Sequence, residues 1–231
     1  MSIYAIGDLH FSGTPPTKPM NIFGNNWENH REKILAAWTN FVQADDTVLL
    51  CGDTSWAMDL TTAMDNDLST IIKMPGKKIL LKGNHDYWWT SLKKMKILTE
   101  NKIFFLQNDF FPDSNIAICG TRGWNLPLTE NFSIEDTLIL KRECGRLETS
   151  LQKAIANHYT KIVVGLHYPP LYKNMVSSAF TKIMEKYKVE QCVFGHIHGA
   201  DAASVFQGEK NGITYKLVAA DYTNFQLVKL T

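Results

Sequence analysis

The sequence predicts a single α/β domain, residues 1–231, in which two β-sheets pack face to face with helices outside. Three observations support this prediction. Apolar strand-like runs alternate with helical patterns as far as residue 194, and the last part of the chain has strand-like runs alone. At 231 residues the chain is long enough to bury one sizeable core.

The elements follow from the spacing of apolar residues along the chain. Short apolar runs predict strands at 3–6, 47–51, 78–81, 103–106, 115–119, 161–166 and 191–194. Helical spacing predicts helices at 27–42, 59–74, 87–98, 133–158 and 179–187, with Gly145 as a possible break in the longest of them. Turn residues then separate runs at 202–206, 213–218 and 225–230, which predict a β-meander.

Composition narrows the class of protein. The formal net charge is +1, which gives no electrostatic reason to expect general affinity for nucleic acid or membranes. The chain has no apolar stretch long enough for a bilayer, and its N-terminus lacks a signal pattern. None of the four cysteines forms a Cys-x-x-Cys pair, so reduced buried thiols are expected. These features predict a cytoplasmic protein.

Five short polar motifs each follow a predicted strand. They are Asp8-Leu9-His10, Gly52-Asp53, Gly83-Asn84-His85-Asp86, His167 and Gly195-His196-Ile197-His198. Five of the seven histidines lie in these motifs. Because strand ends in an α/β sheet lie along one edge, the side chains of all five motifs can converge on one point.

The residue types in these motifs are those of a metal site. Carboxylates, an amide oxygen and imidazoles suit Mn²⁺, Fe, Zn²⁺ and similar ions. Asp8 and His10 have alternating spacing, so on an extended strand their side chains would share one face. Asp53, at a strand tip, can bridge two ions. Two ions about 3.5–4 Å apart can bind phosphoryl oxygens and activate a water for in-line attack. The pattern therefore favours a two-metal hydrolytic centre.

Each motif alone also has a structural explanation. A Gly-Asp pair after a strand is often only a turn, and His167 can be a packed loop histidine. Asp86 can be the N-cap of the helix that follows it. All five motifs in this order, each at a strand end, are hard to explain by packing.

The order of the motifs resembles that of the calcineurin-like metallophosphoesterase superfamily. Every metal-ligand position of that pattern is present between Asp8 and His198. The resemblance implies a four-layer α/β/β/α sandwich with two mixed β-sheets flanked by helices. It implies that one ion is bound by Asp8, His10 and His198, that the other is bound by Asn84, His167 and His196, and that Asp53 bridges them.

The resemblance also gives His85 the role of the acid or transition-state histidine. His85 is next to a ligand but is not needed to complete either set of ligands, so it can protonate the leaving oxygen. Asp86 is its expected catalytic partner, which either orients His85 or holds the local structure.

Three further features concern the substrate side of the site. Arg122 lies just beyond the strand at 115–119. Its guanidinium either binds a phosphate through two N–H groups or is solvated in a loop. Trp56, after the Asp53 motif, either belongs to an aromatic wall or packs in the core. The segment 11–26, rich in Pro and Gly, is either a lid over the site or surface packing.

Together these features predict hydrolysis of a small phosphate ester, monoester or diester, by a metal-activated water or hydroxide. The expected cofactors are two divalent or trivalent metal ions, Mn or Fe ahead of Zn, Ni or Co. Two other classes of function stay open, a non-catalytic scaffold on the same fold and a metal-dependent hydrolase of a non-phosphate bond.

Overall fold

Two mixed β-sheets form the framework of the structure, a computed structural model that describes residues 1–127, 129 and 132–231. The strands are β1 (Ile3–Ile6), β2 (Thr47–Leu50), β3 (Lys77–Leu80), β4 (Ile103–Phe105), β5 (Phe111–Asp113), β6 (Ile116–Thr121), β7 (Lys161–Leu166), β8 (Gln191–Phe194), β9 (Gly208–Lys210), β10 (Ile213–Leu217) and β11 (Val228–Lys229). The five-stranded sheet has the order β11-β1-β2-β3-β4, and the six-stranded sheet has the order β5-β6-β7-β8-β10-β9.

Helices cover the outer face of each sheet. They are α1 (His30–Phe41), α2 (Leu60–Ala63), α3 (Ser69–Lys73), α4 (Leu92–Leu98), α5 (Ile134–Ala156) and α6 (Ala179–Lys186), with a π-helical segment, Met64–Leu68, between α2 and α3. Among the described residues, no helix combines the length and the apolar character needed to cross a membrane.

The alternation of side chains along the strands divides the core into layers. In β2, Leu49 belongs to the apolar cluster between the two sheets, whereas Val48 and Leu50 pack towards α1 to α4. On the other side of the molecule, α5 and α6 bury Leu147 and Phe180 against the six-stranded sheet. The four-layer α/β/β/α sandwich with two mixed sheets is therefore confirmed.

The predicted β-meander at the end of the chain is wrong. Residues Gly199–Ala203 form a 3₁₀ helix, and Val205, although fully buried, makes only an isolated bridge to Tyr172. The strand β10 pairs in parallel with β8, and β11 leaves this sheet to pair with β1 in the other one. The apolar character of Val205 therefore reflects burial in a loop, although the apolar spacing had predicted a strand there.

The predicted helix at 87–98 begins late. Only Leu92–Leu98 is helical, because the Ser91 side chain caps α4 by accepting from the N–H of Lys94. The preceding residues form tight turns, with the N–H of Trp89 donating to the carbonyl of Asp86. By contrast, α5 continues through Gly145 without a break.

Candidate metal centre

The five motif loops converge at one edge of the two sheets, as predicted. Donor atoms of Asp8, His10 and His198 lie within 4.8 Å of one another, and so do those of Asp8, Asp53 and His167. The first group is the ligand set that the resemblance implied for one ion. The second group contains Asp53 and a ligand implied for the other ion.

The remaining two predicted ligands, Asn84 and His196, border the second group. The Oδ1 atom of Asn84 lies 2.6 Å from Nε2 of His167. The ring centroid of His196 lies 5.0 Å from that of His167. The structure therefore brings all seven predicted ligands together.

Four of the ligands have a left-handed backbone, which differs from the expectation for Asp8 and His10. Their φ angles are 59° for Asp8, 48° for His10, 50° for Asp53 and 73° for His196. The expectation that Asp8 and His10 share one face of an extended strand is wrong, because both lie beyond the end of β1. Positive φ costs a non-glycine residue about 1–3 kcal/mol. Hydrogen bonds between the first two motif loops offset that cost, as the N–H of Asp8 donates to the carbonyl of Gly52 at 2.9 Å.

Gly83 and Gly195 have no side chain and therefore leave space for the carboxylates of Asp53 and Asp8. A Cβ atom at Gly83 would lie 2.0 Å from Oδ1 of Asp53, and one at Gly195 would lie 2.3 Å from Oδ2 of Asp8. No side chain fits at such distances, so the Gly-Asn-His-Asp and Gly-His-x-His motifs need glycine at their first position.

We expect Gly83→Ala to displace Asp53 and to weaken metal binding at least about tenfold. The overlap with Asp53 should also lower the free energy of unfolding by about 1–3 kcal/mol. Gly145→Ala is the matched control, because a Cβ there meets no atom within 4 Å and lies inside α5. The control should raise the free energy of unfolding by about 0.5–1 kcal/mol and leave metal binding unchanged. Urea denaturation and metal titration measure both quantities, and normal metal affinity in Gly83→Ala would contradict the expectation.

The orientation of His167 is fixed by a backbone hydrogen bond. Its Nδ1 atom lies 2.9 Å from the carbonyl oxygen of Cys51, which only accepts, so Nδ1 carries the proton. Burial lowers the pKa of His167 to about 3, and Nε2 is therefore a bare lone pair. That lone pair faces two acceptors, Oδ1 of Asn84 at 2.6 Å and Oδ2 of Asp53 at 3.5 Å. Acceptors held so close repel one another unless a cation lies among them, and the donor set therefore fits a metal ion.

The carboxylates of the centre are also poised for a cation. Burial raises the pKa of Asp8 well above its ordinary value, against the opposing effect of His198. Burial likewise raises the pKa of Asp53 to about 6. Buried carboxylates are costly unless a positive charge compensates them, and bound metal ions would supply that charge.

Asp221 holds His198 in place and was not predicted from the sequence. Its Oδ1 atom lies 2.8 Å from Nδ1 of His198, and its Oδ2 accepts from the N–H of Gly199. This leaves Nε2 of His198 directed to Asp8, with Oδ1 of Asp8 at 3.6 Å. Burial opposes charging of His198, but the hydrogen bond with Asp221 and the charge of Asp8 outweigh it and raise the pKa to about 9. The available signal was a carboxylate just beyond a predicted strand, at 213–218.

We expect Asp221→Asn to weaken binding of the metal ion that His198 holds by about 10–100-fold, as is usual for carboxylates behind a histidine ligand. An amide is neutral, so it cannot balance the positive charge of the His198 ring, whose Nδ1 proton is shared with Asp221. Asp201→Asn, an exposed aspartate in the 3₁₀ helix that begins at Gly199, is the control. Metal titration followed by elemental analysis measures the effect. Equal metal affinities in Asp221→Asn and Asp201→Asn would show that Asp221 has no role in the metal site.

Asp86 holds the motif loops together. It is fully buried and accepts hydrogen bonds from five groups, the N–H groups of Asp53, Thr54, Ser55 and Gly83 and the indole of Trp88. Among the described hydrogen bonds, none joins Asp86 to the ring of His85. Its contacts therefore correspond to the second of its two expected roles, holding the local structure.

His85 lies at the rim of the centre with its ring half-buried. Its N–H donates to Oδ1 of Asp53 at 2.8 Å, and its Nδ1 lies 3.4 Å from the hydroxyl of Tyr87. Burial lowers the pKa of His85, while the charge of Asp53 opposes that change. The net shift favours the neutral form of the His85 ring.

A cavity of about 370 Å³ opens in front of the ligands. His10, Asp53, His85, His196, His198 and Asp221 form its polar wall, and Met20, Phe23, Trp27 and Trp56 form an apolar one. Segment 11–26 thus contributes Met20 and Phe23 to the cavity. Trp56 stacks on His10, with ring centroids 4.9 Å apart, and Nζ of Lys18 lies 3.3 Å from its centroid.

Arg122 is not among the described residues that line this cavity. Its guanidinium packs on Trp124 and lies 3.7 Å from Oε1 of Glu143. Its backbone contacts a ligand residue, since its carbonyl accepts from the N–H of His167 at 3.0 Å. The geometry therefore gives no support to a contact between Arg122 and a phosphate at the metal centre.

Comparison with known proteins places the chain in context. A family model described as calcineurin-like phosphoesterase matches residues 1–200. No curated protein matches the sequence. A protein of unknown function from Aquifex aeolicus is similar in structure, with 16% identity and a TM-score of 0.53 over 99% of this chain and 95% of that one. A phosphopantetheinyl hydrolase from Mycobacterium tuberculosis has 14% identity and a TM-score of 0.55 over the same shares, 99% and 95%. At these identities the two structures show a shared fold.

Proposed function

The chain belongs to the calcineurin-like phosphoesterase family, and on that premise we propose that it hydrolyses a small phosphate ester at a centre of two metal ions. The ligands of this centre are Asp8, His10, Asp53, Asn84, His167, His196 and His198. The observation that carries the proposal is the acceptor cluster of Asp53, Asn84 and His167. Its bare imidazole nitrogen and two oxygens need a cation, and Asp53 also lines the open cavity.

The chemistry that such ions supply when bound is Lewis-acid polarisation of phosphoryl oxygens and activation of water. The chain contributes the geometry around them. Asp86 fixes the loops that carry Asp53 and Asn84, and Asp221 fixes His198. Because Trp56 packs on both His10 and His85, with its centroid 4.4 Å from that of His85, it holds these two rings relative to each other.

His85 is the residue placed to give a proton to the leaving oxygen. Its ring lines the cavity, and its backbone is tied to Asp53. A leaving group bound against Met20, Phe23 and Trp27 would therefore lie beside an acid. The apolar wall suits an organic leaving group, which supports an organic ester over inorganic phosphate compounds as the substrate.

Hydrolysis of aryl phosphates by the purified protein loaded with Mn²⁺ tests the proposal. We would compare p-nitrophenyl phosphate with bis-p-nitrophenyl phosphate, before and after removal of metal with a chelator. Metal-dependent release of p-nitrophenol from either compound is the expected result, and the preferred compound identifies a monoesterase or a diesterase. Stoichiometric metal binding without turnover of any phosphate ester in a broad panel would favour a scaffold. Turnover of p-nitrophenyl acetate alone would favour a hydrolase of non-phosphate bonds.

A further inference from the structure

A second cavity, of about 170 Å³, lies beyond the ends of β3, β4 and β6. Its walls carry the cationic side chains of Lys82, Arg122 and Arg146 together with the carboxylate of Glu143. Because Lys82 directly precedes the Gly-Asn-His-Asp motif, this cavity adjoins the metal centre along the same edge of the sheets. Gln107 and Asn108 add amide groups to its lining.

The charges in this cavity do not balance. Glu143 is fully buried and already accepts from Thr121 and from Nη1 of Arg146, the latter at 2.7 Å. Nη2 of Arg122 lies 3.7 Å from the same carboxylate. One carboxylate therefore faces three cations. Among the described residues that line the cavity, no other acid is present.

Two of the cations also have donor groups without a hydrogen-bond acceptor. Nε of Arg122 is buried and has no hydrogen-bond partner among the described residues. The described hydrogen bonds and ion pairs include none for the ammonium group of Lys82, which lines the cavity. A buried donor without an acceptor costs about 1–3 kcal/mol, more if it is charged. An anion in the cavity would remove this cost.

We propose that this cavity binds a small oxyanion, of the phosphate, sulfate or carboxylate class, between Lys82, Arg122 and Arg146. Two guanidinium groups and an ammonium group form the usual surroundings of such anions. The anion has two potential sources, a free anion from solution or a second anionic group of a substrate bound at the metal centre. The carbonyl of Arg122 accepts from the N–H of His167, so occupancy of this cavity acts directly on a metal-ligand loop.

Sulfate binding to the Mn²⁺-loaded protein, followed by thermal unfolding at constant ionic strength with chloride as reference, tests the proposal. Lys82→Met and Arg146→Met each remove one cation of the cavity, and Lys141→Met removes an exposed cation from the same helix, α5. We expect sulfate to give a saturable stabilisation of the wild-type protein and of Lys141→Met. In Lys82→Met and Arg146→Met the apparent Kd for sulfate should be at least about tenfold higher. Sulfate bound at the metal centre would appear as the stabilisation that remains in the two cavity variants.

Equal apparent Kd values in all four proteins would overturn the proposal, as would an absence of saturable stabilisation in the wild-type protein. If Lys82→Met does not fold, Arg146→Met decides the matter, since the Arg146 side chain is 37% exposed. This experiment needs no enzymatic activity. Its failure is therefore distinguishable from failure of the proposed phosphohydrolase function.

A kinetic comparison identifies the source of the anion, and this arm rests on the proposed function. Butane-1,4-diol bisphosphate and butyl phosphate differ by one anionic group. If the cavity holds a second group of the substrate, kcat/KM should favour the bisphosphate about tenfold in the wild-type protein, and Lys82→Met should abolish the preference. If the anion is free, the two compounds should be hydrolysed alike by both proteins, while sulfate binding is still weaker in Lys82→Met.

Discussion

Asp53→Asn is expected to lose most of its bound metal and to lower turnover by at least about 10³-fold. The Oδ2 atom of Asp53 lies 3.5 Å from Nε2 of His167 and 3.9 Å from Nε2 of His10, so this one carboxylate faces both groups of ligands. Replacing it with an amide would remove a negative charge that the two proposed ions would share. Metal-ion catalysis contributes several kcal/mol of charge stabilisation, which sets the size of the expected loss.

Elemental analysis and turnover, measured on the same preparation, test this expectation. Asp45→Asn is the matched control, because it removes an exposed carboxylate from the loop before β2. The control should retain the metal content and the rate of the wild-type protein. Two ions per chain and normal turnover in Asp53→Asn would refute the bridging role.

The second large effect is expected for His85→Asn, and its size should depend on the leaving group. General acid catalysis contributes about 10²–10⁴-fold. A p-nitrophenolate leaves readily without a proton, whereas an alkoxide does not. His85→Asn should therefore retain two metal ions, lose about 10²–10⁴-fold in kcat/KM on alkyl phosphates, and lose much less on p-nitrophenyl esters.

The pair of rate losses separates three roles for His85. His158→Asn, at an exposed histidine after α5, serves as the control and should leave both rates unchanged. Equal losses on the alkyl and aryl esters would favour electrostatic stabilisation of the phosphoryl group over proton donation. Loss of metal would make His85 a ligand or a structural support, and would end its assignment as an acid.

The convergence of the candidate metal ligands could be predicted from the sequence because each follows a short apolar strand in a distinctive polar motif. Strand ends share an edge whatever the details of the loops, so the convergence of Asp8, Asp53 and His167 required no knowledge of loop conformation. The backbone of those loops could not be predicted in the same way. The left-handed conformation of Asp8 and His10 is imposed by hydrogen bonds to the Gly52-Asp53 loop. A helix and a strand separate that loop from Asp8 and His10 in the sequence.

Asp221 and Arg122 show where prediction from sequence stops. The role of Asp221 depends on the insertion of β10 beside β8, and the sequence instead predicted a β-meander of successive strands. Arg122 follows a strand as the metal ligands do, but the buried carboxylate of Glu143 on α5 holds its side chain in the second cavity. Each outcome was decided by a partner distant in sequence, which periodicity and motif spacing do not identify.

The placement of the ligands on both sheets has a mechanical consequence. Each of the two ligand groups takes residues from both sheets, since Asp8, His10 and Asp53 follow strands of the five-stranded sheet, whereas His167 and His198 follow strands of the six-stranded sheet. A bound ion would therefore add a cross-link between the two layers, which apolar contacts and hydrogen bonds such as that between His167 and Cys51 already join. At a free-ion concentration about 1,000 times Kd, binding to the folded state adds about 4 kcal/mol to the free energy of unfolding. Chelation would remove this cross-link, and the protein would then unfold at a lower temperature.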